Sequence, residues 1–168
     1  MEPDAALAIA SQIAVALAGF AGVVTAFRVQ SVHEWVAIDK LRLRLLLTNS
    51  ILPLAYCLFA LALLTVRPVP LHFWRWCSGV SVATNIAFAM GLSKHLASLR
   101  QLESHAAPAN RIAFYFFFAL GAISLILQLY NIAALNAFWP FFVSITVQLL
   151  AAMFQFMLMV LRPSAKEN

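Results

Sequence analysis

Between Ile112 and Leu161 the chain runs for 50 residues without one Lys, Arg, Asp or Glu. A soluble fold cannot cover such a run. A membrane helix needs about 20 mostly apolar residues, so this stretch is long enough for two. Near its middle stands Asn136-Ala137-Phe138-Trp139-Pro140. Proline suits the first turn of a helix, and asparagine suits the turn or cap before it. The run therefore divides into spans at 112–135 and 138–161.

The same criterion finds three more apolar runs upstream. Residues 5–27 contain no formal charge, 43–66 carry only Arg44 near the entry, and 71–93 carry only Arg75 near the start. Composition agrees with this reading. Hydrophobic residues make up 64% of the 168 and charged residues 10%, with mean hydropathy +0.90. A soluble domain carries about a quarter charged residues, and a chain this small has too little interior to hide so much apolar surface. The expected fold is all-α: one transmembrane domain over residues 1–168, with five membrane helices.

The few charges orient these spans. Of eleven Lys and Arg residues, nine fall in the connections and tail that share one side if the N-terminus lies outside. Arg28, Lys40, Arg42 and Arg44 flank the first connection. Lys94, Arg100 and Arg111 flank the third, and Arg162 and Lys166 lie in the tail. Only Arg67 and Arg75 fall on the other side. Basic residues collect on the cytoplasmic face, so the expected arrangement is N-terminus out and C-terminus in. The acidic start Met1-Glu2-Pro3-Asp4 lacks the basic region of a secretory signal, so the first run is expected to be a retained helix. The texture is that of a bacterial inner-membrane protein.

Trp74, Trp76 and Trp139 fall at expected outer ends, with Arg75 among them. Amphipathic rings and a snorkelling cation suit that level as interface anchors. In the first span Ala10, Ala14, Ala18, Gly22 and Ala26 recur every four residues. Small side chains let another helix backbone approach closely, so this stripe is the expected helix-packing face, within the chain or between copies.

The polar groups within the spans are amides and hydroxyls. Gln12, Gln128, Asn131 and Gln148 come to one side of the midplane, and Asn49, Asn85 and Gln155 to the other, at about 1.5 Å of rise per residue. An amide facing lipid lacks partners, so these layers are expected to point inward and bond across helices. They serve either as ties between helices or as the lining of a path for a small solute.

Other chemistry finds little support. No acid lies within a span, which disfavours ion-coupled transport. His72 falls at the outer surface and His33, His95 and His105 in the inner segments, none deep in a span, and they match no metal-ligand spacing. Cys57 and Cys77 form no C-x-x-C motif, and spacing leaves open whether they pair. No catalytic set, metal or cofactor site is expected. The basic inner face is expected to meet anionic lipids, and its charge is explained by topology without nucleic acid. The expected function is non-enzymatic: a structural or accessory subunit packing against itself or a larger membrane complex. The alternative is a homo-oligomeric channel or facilitator with an amide-lined path.

Overall fold

A computed structural model describes residues 2–27, 37–66, 68, 70–99 and 108–160. Every regular element among them is helical. Five α-helices follow in order: α1 (Pro3–Phe27), α2 (Ala37–Leu64), α3 (Phe73–Leu99), α4 (Pro108–Tyr130) and α5 (Phe138–Val160). A π-helical turn, Asn131–Leu135, continues α4 up to the break before α5.

The helices overrun the apolar runs at their polar ends. α2 begins at Ala37, six residues before the apolar run, and takes Asp39, Lys40, Arg42 and Arg44 into its first turns. Hydropathy marks what the bilayer accepts, whereas a helix continues wherever its backbone bonds continue. α3 likewise runs on to Leu99. α4 starts at Pro108, where the missing N–H of proline costs nothing.

Among the described residues four helical stretches are long and apolar enough to cross a membrane: Pro3–Phe27, Asp39–Leu64, Tyr115–Leu135 and Phe138–Val160. The molecule is thus compatible with a multi-pass membrane protein. α3 stands outside this set because its first half carries Arg75, Ser78, Ser81, Thr84 and Asn85. Large apolar side chains are exposed on the helices, among them Ile9 and Phe20 on α1, Leu58 on α2, Phe118 and Ile126 on α4, and Met153 on α5. Water penalises so much open apolar surface, but lipid does not.

The chain divides into two compact units. The first comprises Met1–Leu58 with Gln148–Asn168, and the second Phe59–Val147. In the first unit the buried residues of α1 include Leu7, Ala10, Ala14, Leu17 and Ala21. These follow alternating steps of three and four, which hold one face of a helix. Phe20 of α1 meets Phe156 of α5 with ring centroids 5.7 Å apart.

In the second unit the starts of α3 and α5 share an aromatic cluster. Trp74 lies 4.4 Å from Phe73, 4.9 Å from Phe138 and 6.1 Å from Phe141, centroid to centroid. Phe141 is fully buried. This cluster stands beside the polar seam described next.

Candidate functional site

Four of the five residues that make α3 less apolar than its neighbours form one pattern. Arg75, Ser78, Ser81 and Asn85 are separated by three, three and four residues, so they share one helix face. On α4 and the π-turn, Ser124, Gln128 and Asn131 are separated by four and three. The chain runs in opposite directions along the two elements, and the two series meet in reverse order.

At one rung Gln128 Nε2 donates to Ser81 Oγ at 3.1 Å. At the next, Asn131 Nδ2 donates to Ser78 Oγ at 2.8 Å. Moving from 81 to 78 on α3 matches moving from 128 to 131 on α4. The same register sets Asn85 level with Ser124. Asn85 Nδ2 donates along its own helix to Ser81 Oγ at 3.3 Å, so the Ser81 hydroxyl accepts from two amides. Ser78, Ser81, Ser124, Gln128 and Asn131 are all buried. Ladder is a fair word for the arrangement. It spans about 15 Å of α3 at 1.5 Å per residue.

The upper end of this ladder is built by the break between α4 and α5. The π-turn closes with Asn136 N–H donating to the Asn131 carbonyl at 3.1 Å. Asn136 then takes the left-handed conformation, φ 50° and ψ 46°, which asparagine tolerates better than other side-chain-bearing residues. The Asn131 side chain spans the resulting gap. Its Oδ1 accepts from Ala137 N–H at 2.8 Å, and its Nδ2 donates to the Ala137 carbonyl at 3.0 Å. One amide therefore satisfies both backbone groups of Ala137 and still reaches Ser78.

Asn136 acts on the other helix. Its Oδ1 accepts from Arg75 N–H at 3.2 Å in the first turn of α3, a donor with no carbonyl partner within that helix. The same N–H also reaches the His72 carbonyl at 2.9 Å. In return Arg75 Nη2 donates to the Ala133 carbonyl at 3.4 Å, near the negative end of α4 and its π-turn. Each element thus supplies a side chain to the open end of the other.

Two enclosed atoms of the seam make no hydrogen bond among the described residues: Gln128 Oε1 and Arg75 Nε. Gln128 is 0% exposed. All other groups on the rungs are hydroxyls and amides, which neither gain nor lose a proton near neutral pH. The seam can tie helices and hold a register, and it contains no nucleophile paired with a base. The second unit also has a groove of about 230 Å³ lined by Phe59, Leu63, Pro70, Phe73 and Trp76. No polar group converges on it to orient a ligand.

The remaining sequence candidates are placed as follows. Ala10 and Ala14 are buried, Ala18 is half-buried, and Gly22 and Ala26 are exposed. A row of steps of four drifts about 40° around the helix at each step, so it leaves the buried face. Gln148 is buried, Asn49 and Gln155 are half-buried, and Gln12 is exposed instead of pointing inward. Trp76 and Trp139 are 66% and 52% exposed, whereas Trp74 is held in the aromatic cluster. Lys40 and Arg44 are exposed. Arg42 is only 6% exposed, with Nη1 3.6 Å from Asp39 Oδ1. Lys94 and Arg111 lie on α3 and α4, while Arg28 and Arg100 fall outside the described residues. Cys57 and Cys77 are each buried free thiols. Among the described residues no three His, Cys, Asp or Glu side chains gather to hold a metal.

Sequence reading finds the amides but misses their pairing. The signal was present as equal steps of three and four, running forward on α3 and backward on α4. The capping role of Asn136 carries no such signal, since its partner lies 61 residues away.

Among the described residues every regular element is thus helical, and four helices are long and apolar enough to cross a membrane. No protein-family model, no curated protein and no solved structure matches the chain.

Proposed function

We propose that this protein is a small non-enzymatic membrane subunit, structural or accessory, that packs against itself or a larger membrane complex. In this reading all five helices span the bilayer, including α3, whose polar face is turned to α4. The N-terminus lies outside and the C-terminus in the cytoplasm of a bacterial inner membrane, as the bias of basic residues supports.

One observation carries the reading: the intramembrane polar groups of α3, α4 and the π-turn spend their hydrogen bonds on each other. Amides lining a solute path keep donors and acceptors open for the passenger. Here Ser81 accepts from two amides, and Asn131 uses both donors and its acceptor. The large apolar side chains left exposed on the helices suit lipid or partner helices.

A second reading, a facilitator for a small neutral solute, is favoured by Gln128 Oε1, a buried acceptor with no hydrogen-bond donor among the described residues. Thiol labelling separates the two. Cysteines at Asn85, Gln128 and Gln148 should resist a water-soluble maleimide in intact membranes, and rapid labelling of all three overturns the subunit reading. Native mass in mild detergent should exceed one chain, and a homogeneous monomer counts against a packing subunit. Reporter fusions at each end test the orientation. A cytoplasmic N-terminus would reverse it.

A further inference from the structure

We propose that α1 pairs with α1 of a second copy through the face opposite its buried stripe, with the two Gln12 amides clasped across a two-fold axis. This rests on the reading of the chain as a self-packing membrane subunit and names the surface. Gln12 is exposed, whereas Asn49, Asn85, Gln128, Asn131, Asn136, Gln148 and Gln155 are buried or half-buried. Ser11 beside it closes its hydroxyl onto the Ala8 carbonyl at 2.7 Å. The Gln12 amide makes no hydrogen bond among the described residues, and it stands three residues from the middle of α1, about 4.5 Å along the axis. At that depth lipid offers no hydrogen-bond partner, so the amide needs one from protein.

The neighbours of Gln12 suit a helix rather than lipid. Ile9, Gln12, Ala16, Gly19, Val23 and Ala26 are all exposed and follow steps of three and four, which sets them on one face. Ala16 and Gly19 flank the amide with small side chains, and a Cβ added at Gly19 would meet nothing within 4 Å. A second backbone can therefore come close enough for amides to meet. The occupant follows from chemistry and symmetry. Copies of one chain insert in the same orientation, so the same residue lies at the same depth in each. A glutamine amide carries both donor and acceptor and is complementary to itself across a two-fold axis. This face differs from that of Ala10 and Ala14, which are buried.

The test uses the full chain in its native membrane, with Cys57→Ser and Cys77→Ser to remove the existing thiols. Single cysteines at Gln12, Ala16 and Gly19 should cross-link into dimers on oxidation, and cysteines at Ala14 and Leu17 should not. Gln12→Leu, measured by energy transfer between labelled chains diluted in vesicles, should weaken the dimer about three- to tenfold. No cross-link at 12, 16 and 19 overturns the α1 pairing, as does unchanged affinity in Gln12→Leu. Native mass then separates the two levels. A particle larger than one chain without these cross-links keeps the subunit reading and removes this surface. A monomer removes both.

Discussion

The buried stripe of α1 and the seam between α3 and α4 solve the same problem with different chemistry. On α1 the inward residues are Leu7, Ala10, Ala14, Leu17 and Ala21. They offer close approach and dispersion contact, and being apolar they supply no hydrogen bond to fix a register. Between α3 and α4 the inward residues include Ser78, Ser81, Ser124, Gln128 and Asn131. There a slide by one turn breaks every rung at once. Shape supplies proximity in the first unit, and hydrogen bonds supply register in the second. In lipid, each interhelical bond contributes only about 0.6 kcal/mol on average, so the ladder matters more for which register forms than for how tightly.

Four substitutions sharpen that contrast, in descending order of effect. Asn131→Leu removes the Ser78 rung and strips Ala137 of both backbone partners. It should cost about 3 kcal/mol, read by denaturant titration in detergent. A loss below about 1 kcal/mol would mean the break before α5 is held by something else. Ala14→Leu overfills the fully buried centre of the α1 stripe. It should cost about 2 kcal/mol in the same titration. A neutral result would show that the stripe is not packed.

Ser81→Ala deletes the hydroxyl shared by Asn85 and Gln128 and should cost about 1 kcal/mol. Paired with Gln128→Leu in a double-mutant cycle, it should show coupling of about 0.6 kcal/mol. Strict additivity would deny the bond. Gly22→Ala should not destabilise, because its added Cβ meets nothing within 4 Å and alanine is the better helix former, by up to about 1 kcal/mol. A clear loss of stability there would bring the exposed end of the four-step row back into the packing.

The sequence made the helices legible because charge-free runs longer than a bilayer is thick leave few alternatives. It read the break at Asn136 for the right physical reason, since that residue adopts the left-handed turn that asparagine tolerates. Helix starts were less legible. Asp39, Lys40 and Arg42 fall in a connection by charge, yet α2 includes them. The α1 row is split by the helix, because steps of four drift around it: Ala10 and Ala14 are buried within the chain, whereas Gly22 and Ala26 are exposed. Gln12 looked like its fellow amides, and only the built helix separates an exposed amide from an enclosed one. The pairing of Ser81 with Gln128 and of Ser78 with Asn131 depends on which faces meet, a choice that hydropathy does not encode.

The register of α3 against α4 is the central claim, and paired cysteines test it most directly. In a Cys57→Ser, Cys77→Ser background, Ser81→Cys with Gln128→Cys and Asn85→Cys with Ser124→Cys should each cross-link on oxidation. Ser81→Cys with Ser124→Cys, one step out of register, should stay reduced. If the shifted pair cross-links as readily as the matched pairs, the ladder is not the arrangement in the membrane. If only the matched pairs form, the two helices hold the rungs described.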